Sequence, residues 1–270
     1  MSHPRYSIII PAYNESARIE RTLNQVLSCI EQQGWDAVVT VVDDGSTDDT
    51  AQIVERCMTQ AAGRLHLLKN ASNRGKGYSV RNGLLQATGD IVMFTDADLS
   101  APMEEASRLF AAIEAGADVA IGSRWLERQR QSVRQPWYRQ FLGRCFNAVT
   151  RLVMGLPYAD TQCGFKAFRR NVAQVIFRLQ RIERWGFDPE LLFISTRLGY
   201  RIAEVPVTWG HDERSKMSYL RDGMKMLEDM ATIRWNSWMG RYDEEIAKMK
   251  DIRGMVTTPV APEEKTNPRK

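Results

Sequence analysis

The sequence predicts an α/β fold in which a mostly parallel central sheet carries helices on both faces. Two observations predict it. Short, nearly continuous apolar runs alternate with stretches of helical periodicity through the first half of the chain, which is the pattern of strands buried on both faces. At 43% hydrophobic over 270 residues, the chain also has enough apolar surface for one substantial core, and it shows no internal repeat.

The elements follow in order. Tyr6–Ile10 reads as the first strand, followed by a helix with Ile19, Leu23, Val26, Leu27 and Ile30 on one face. Ala37–Val42 is the second strand. A helix is expected to start near Ser46, where Ser46 and Asp49 stand at capping-box spacing. Leu65–Lys69 is the third strand, and Val80, Leu84 and Leu85 mark the next helix. Ile91–Thr95 and Val119–Gly122 are further strands, separated by a helix bearing Leu109, Phe110 and Ile113. The second half changes character. Trp137–Met154 is a long helical stretch, short strands are expected near Phe165–Phe168 and Ile202–Thr208, and Tyr219–Trp238 is rich in Met, Trp and Arg. From about Thr257 the composition turns to Pro, Glu, Lys and Thr, a disordered tail. The expected organisation is one domain over 1–240, with a 1–122 half and a 123–240 half, and a C-terminal extension over 241–270.

Charge and cysteine content narrow the function classes. A net charge of +4 suits anionic partners such as a nucleotide, a lipid phosphate or a membrane surface. Nucleic acid is not expected among the partners. No run approaches the roughly 18 apolar residues of a membrane span, and Met1–Tyr6 has no apolar signal region. Cys29, Cys57, Cys145 and Cys163 lie far apart without zinc spacing, as reduced thiols of a cytosolic protein would.

In a sheet of this kind ligands sit beyond the carboxyl ends of the strands, so the segments that follow them carry the chemistry. These are Pro11-Ala12-Tyr13-Asn14-Glu15, Asp43-Asp44-Gly45-Ser46 and Asp96-Ala97-Asp98. Asp48 and Asp49 suit ordinary turn and cap chemistry. Asp96 and Asp98 are different: two carboxylates one residue apart repel unless a cation or proton intervenes, and such hard oxygen donors suit Mg2+ or Mn2+ shared with substrate phosphates. Asn73-Arg74-Gly75-Lys76-Gly77 opens a helix, where glycines let backbone amides approach a phosphate and Arg74 and Lys76 add charge. No Gly-Lys-Ser/Thr follows it, and no Gly-x-Gly-x-x-Gly follows the first strand, which argues against a Walker site and a dinucleotide oxidoreductase.

Further segments complete a pattern: Gly122-Ser123-Arg124, Asp160-Thr161-Gln162-Cys163-Gly164-Phe165-Lys166, Glu183-Arg184-Trp185-Gly186-Phe187-Asp188, Ala203-Glu204-Val205-Pro206-Val207 and Ser215-Lys216. In this order, from about Tyr6 to Trp238, the chain resembles the family 2 inverting glycosyltransferases of the GT-A (Rossmann-like) fold. It is most similar to the dolichyl-phosphate β-glucosyltransferases, with the dolichyl-phosphate mannosyltransferases as close cousins. The resemblance implies a UDP-sugar or GDP-sugar donor. Pro11, Tyr13, Glu15 and Lys76 would line the nucleotide pocket, Asp43 and Asp44 would hold base and ribose, and Asp96 and Asp98 would bind the metal. Arg124 and Arg139 would grip a lipid phosphate, and Gln162 with Gly164-Phe165-Lys166 would shape the acceptor side. Arg214 and Lys216 would close from a loop; here Asp212-Glu213-Arg214-Ser215-Lys216 replaces a glycine-containing version of it.

The expected reaction is transfer of a hexose, glucose from UDP-glucose, to a polyprenyl phosphate. The alternatives are a GDP-mannose-dependent polyprenyl-phosphate transferase, transfer to a sugar hydroxyl in polysaccharide synthesis, and an inactive nucleotide-sugar-binding protein. A hydroxyl acceptor needs a carboxylate base, for which Asp160 and Asp188 are the candidates; Asp188, ahead of Pro189, also suits a helix-start cap. Trp137–Met154 and Tyr219–Trp238, apolar and interspersed with arginines, suit helices lying on the cytoplasmic face of a membrane.

Overall fold

The computed structural model describes residues 3–127, 137–210 and 219–247, with side chains described over 3–127, 143–210 and 223–247. Seven strands form one sheet: β1 (Tyr6–Ala12), β2 (Ala37–Asp43), β3 (Leu65–Lys69), β4 (Ile91–Phe94), β5 (Val119–Ser123), β6 (Lys166–Arg169) and β7 (Ile202–Pro206), in the order β3-β2-β1-β4-β6-β5-β7. Every pairing is parallel except those of β6, which runs antiparallel to both β4 and β5. Because β6 is reversed, its first residue, Lys166, pairs with Phe94 and Ile121 and stands at the same edge as the ends of β1, β2, β4 and β5.

The two-residue period of the strands splits the core into two layers. Ile8, Ile10, Val39, Val41 and Met93 face one side. There they meet α1 (Ile19–Gln33), α2 (Thr50–Gln60) and α4 (Ala106–Glu114) through Leu23, Val26, Ile30, Val54, Leu109 and Phe110. Ile9, Val92, Phe94, Val119 and Ile121 face the other side. They meet α3 (Lys76–Gln86), α6 (Arg170–Leu179) and α7 (Phe187–Arg197) through Val80, Leu84, Phe177, Leu191 and Leu192. The continuous apolar runs are explained by this double burial: all four residues of β4 are buried. The long helices α5 (Trp137–Met154) and α8 (Tyr219–Trp238) pack on each other. Among the described residues no helix is long and apolar enough to cross a membrane.

Two expectations change. The helix expected near Ser46 starts at Thr50, and Asp49 makes no side-chain cap bond. Asp48 does that work: its Oδ1 accepts the Thr50 amide at 3.0 Å and its Oδ2 accepts the Ser16 amide at 3.1 Å. Ser46 instead accepts the Asn14 amide at 2.9 Å, so the turn is spent on stitching the β1 and β2 loops together. Burial opposes the charge on Asp48, but the bonds from Thr50 and Ser16 outweigh it and lower its pKa from 3.8 to about 2. The stability it supplies is present above pH 3.8 and is lost as the pH falls toward 2. The second change is at residue 240. The folded body continues through a helical segment over 241–247, and Tyr242 is only 1% exposed.

Candidate active site

The residues after β4 form the centre of the site. The Leu99 amide bonds back to the Asp96 carbonyl at 3.1 Å, and Leu99 takes a left-handed φ of 47°. Thr22 of α1 donates to the Ala97 carbonyl at 2.6 Å, fixing the backbone between the two aspartates. Thr22 was missed in the sequence; the signal is a threonine on the otherwise apolar face of α1. Lys76, from the first turn of α3, places its ammonium on Asp96 Oδ1. The same ammonium stands 5.1 Å from the Trp185 ring centre and 5.9 Å from that of Phe187. Gly164 makes this approach possible: a Cβ there would lie 2.6 Å from Asp96 Oδ2 and 2.9 Å from Lys76 Nζ.

The electrostatics show a cluster short of positive charge. Burial alone would lower the Lys76 pKa, but Asp96, Asp188 and Asp98 together hold it above its ordinary value. Burial, then the Asp96 charge, push the Asp98 carboxyl up, and they outweigh the hydrogen bonds from Ser100, its amide at 2.9 Å and its side chain, and the Lys76 charge.

The two candidate bases are both committed elsewhere. Asp160 is fully buried and takes a fork from Arg124, Nε at 2.7 Å and Nη2 at 2.9 Å, plus the amides of Arg124 at 3.0 Å and Gln162 at 3.2 Å. Burial opposes the charge, and Arg124 outweighs it, so the carboxyl sits below its ordinary range. Such an acid is a poor proton acceptor, which corrects the expectation of Asp160 as base. The same pair orients Arg124, expected as a phosphate grip: its guanidinium forks onto the buried carboxylate through Nε and Nη2 and lies over the Trp209 ring at 5.0 Å. Glu204, whose role the sequence did not disclose, holds this turn by accepting the Ala159 and Asp160 amides at 2.9 and 2.7 Å. Asp188 lies inside the first turn of α7, where no side-chain cap bond is made, and pairs with the fully buried Lys166. Lys166 and Phe165 are both buried, so they build the floor under the site rather than an acceptor surface.

The glycine-bearing segment ahead of α3 serves a different purpose from the one expected. Asp44, 3% exposed, accepts the amides of Arg74 at 3.1 Å and Gly75 at 2.7 Å and the Asn70 side chain at 2.8 Å. Its carboxylate therefore organises this loop. Gly75 (φ 112°) and Gly77 do admit a close approach, but to protein: a Cβ would meet the Glu183 carbonyl at 2.6 Å and the Ile182 carbonyl at 2.7 Å. Two of the amides expected to cradle phosphate, those of Arg74 and Gly75, are taken by Asp44, while the Lys76 side chain reaches Asp96.

At the β1 and β2 ends, Tyr13 is half-exposed beside the partly buried Pro11, and Glu15 pairs with Arg18. Asp43 is buried and accepts the Ser46 amide at 3.3 Å. Gln162 is partly buried, 3.5 Å from the Thr150 hydroxyl. Arg214 and Lys216 lie outside the described residues, and Arg139 lies where side chains are not described.

Comparison with known proteins places this geometry. Residues 7–177 match Glycosyl transferase family 2. The dolichyl-phosphate beta-glucosyltransferase ALG5C of Trichomonas vaginalis is 35% identical over 240 residues, covering 84% of this chain and 70% of that protein. The dolichyl-phosphate beta-glucosyltransferase of Saccharomyces cerevisiae is 33% identical over 253 residues, 87% of this chain and 76% of its own. Among solved structures, glucosyl-3-phosphoglycerate synthase from Mycobacterium tuberculosis, in complex with Mn2+, UDP and glucosyl-3-phosphoglycerate, superposes with a TM-score of 0.60 at 21% identity, over 85% of this chain and 80% of that one. The chain belongs to glycosyltransferase family 2 and is a glycosyltransferase of the GT-A fold.

Proposed function

We propose that the enzyme transfers glucose from UDP-glucose to the phosphate of a polyprenyl lipid, with inversion at the anomeric carbon. One observation favours this acceptor: both candidate bases are tied to cations, Asp160 to Arg124 and Asp188 to Lys166. A sugar hydroxyl must give up its proton to a base as it attacks, whereas a phosphate arrives already ionised. The names of the relatives, dolichyl-phosphate beta-glucosyltransferases, support the same acceptor and sugar.

Mg2+ or Mn2+ fits the Asp96–Asp98 pair. The pair carries two hard carboxylates whose mutual repulsion and burial call for added positive charge. Among the described residues no group of three His, Cys, Asp or Glu converges, so the remaining ligands would be diphosphate oxygens and water. When bound, the cation would neutralise charge on the leaving diphosphate. Lys76 adds fixed positive charge at the same edge, and Trp185, half-exposed beside it, walls the pocket. By resemblance, Arg214 and Lys216 close over the phosphates, and Arg139 meets the lipid phosphate.

The lipid acceptor requires contact with a bilayer, and we assign that contact to α5 and α8 at the cytoplasmic face. Opposite its buried Met226, Met230 and Ile233, α8 exposes Met224, Leu227, Trp235 and Trp238. On α5, Leu152 is 85% exposed, between the exposed Val149 and Val153. Exposed Arg151 and Arg234 suit anionic headgroups. Two measurements check the proposal. Calorimetric titration in Mn2+ is expected to show UDP binding more tightly than GDP; the reverse order moves the donor to GDP-mannose. Flotation with anionic vesicles is expected to carry the protein up, and the double variant Trp235→Ser, Trp238→Ser to stay behind; equal flotation of both overturns the assignment of this face.

A further inference from the structure

We infer that Tyr242, in the segment after α8, is a positioning residue that clamps the 181–187 loop against α3 and so sets the place of Lys76 in the site. The inference rests on reading Lys76 and Asp96 as part of the donor diphosphate site.

The contacts form one continuous path. The Tyr242 hydroxyl donates to Glu190 Oε1 at 2.6 Å, and Glu190 on α7 is fully buried. The same carboxylate accepts the Arg181 amide at 3.0 Å on Oε1 and the Ile182 amide at 2.8 Å on Oε2. It therefore ties the start of the loop to α7, with Tyr242 as the third donor. The loop in turn is pressed onto α3. The Tyr78 amide bonds to the Glu183 carbonyl at 2.9 Å, and the Gln180 side chain bridges the Gly77 and Ile182 carbonyls at 3.0 and 2.7 Å. The missing side chains of Gly75 and Gly77 let these backbones touch. The far end of the loop carries Trp185 and leads into Phe187, the first residue of α7, the two rings around the Lys76 ammonium, and the Gly186 amide bonds to Asp229 of α8 at 3.2 Å.

The segment that delivers Tyr242 is itself fastened at both sides. Arg181 of the loop reaches Glu245 at 3.0 Å, and Arg197 at the end of α7 reaches Asp243 at 2.7 Å. The Tyr242 ring packs edge-on to Phe193 at 6.1 Å. A residue wanted only for packing needs no hydroxyl here. The hydroxyl is used on a buried carboxylate whose other bonds all go to the loop, which is the arrangement of a clamp.

Tyr242→Phe keeps the ring and removes the hydroxyl, with its bond to Glu190 and its contact with the Asn236 side chain of α8. Hydrogen exchange is expected to speed up about tenfold at the Arg181 and Ile182 amides and in the first turn of α3, while α6 and β1–β3 keep their protection. Amine labelling of Lys76, read by mass spectrometry, is expected to rise with it, and transfer to fall severalfold in kcat. Unchanged exchange in the loop, or an equal loss of protection throughout the sheet, overturns the clamp. If the parent protein transfers no sugar, the functional reading fails, while the exchange and labelling comparison still decides the clamp by itself.

Discussion

Asp98→Asn is expected to lower transfer about a thousandfold while the protein melts no earlier than its parent. The first half follows from charge. A cation held by Asp96 and Asp98 would stabilise the leaving diphosphate by several kcal/mol, and about 4 kcal/mol is a factor of a thousand in rate. The amide keeps the shape of the side chain and removes the anionic ligand. The second half follows from the direction of the Asp98 shift. Burial and the Asp96 charge raise its folded pKa above the unfolded value. The stability this gives is complete below the unfolded pKa and is lost as the pH rises through the folded pKa, so at neutral pH the ionised form is a burden to the fold. Removing that charge relieves it. Calorimetry and a rate assay on one preparation check both halves. A variant with full activity contradicts the metal assignment; one that unfolds early contradicts the electrostatic reading.

Asp160→Asn is expected to do the opposite, costing stability far more than chemistry. It leaves the Arg124 guanidinium without its fork partner, and breaking a buried pair costs about 3–5 kcal/mol. For a domain of this size that is a drop in melting temperature of roughly 10 °C. The native Asp160 has its pKa lowered, so its contribution is present above the ordinary 3.8 and lost as the pH falls through the folded value. Assayed well below its melting point, the variant is expected to keep transfer within about tenfold of the parent, because no proton passes through this carboxylate. Near-complete loss of activity with an unchanged melting temperature would restore Asp160 as a general base.

Much of the fold was legible because the strands are buried on both faces and leave uninterrupted apolar runs, so β1 to β5 fall where the runs do. The reversal of β6 was not: Lys166–Arg169 holds only four residues, and pairing direction leaves no mark in so short a segment. At the site, the segments after the strands located Asp96 and Asp98, because in such a sheet the chain must leave at that edge. Partners were harder to read. Arg124 and Asp160 are 36 residues apart, and nothing in their spacing says that each is spent on the other. The glycines before α3 read as a phosphate cradle because a close approach was correctly inferred but the approaching group was not. It is the 181–187 loop, more than a hundred residues further along the chain. Tyr242 was read as lying beyond the domain because a single buried tyrosine has no periodicity to reveal it.

The central claim is that the acceptor brings its own negative charge. The most direct measurement offers labelled UDP-glucose, with Mn2+, to a polyprenyl phosphate and to the matching polyprenol side by side in vesicles. The account predicts label in the lipid phase with the phosphate alone, released again by mild acid as a glycosyl phosphate would release it. Label passing to the free alcohol, or to a sugar hydroxyl while the polyprenyl phosphate stays unlabelled, would contradict it.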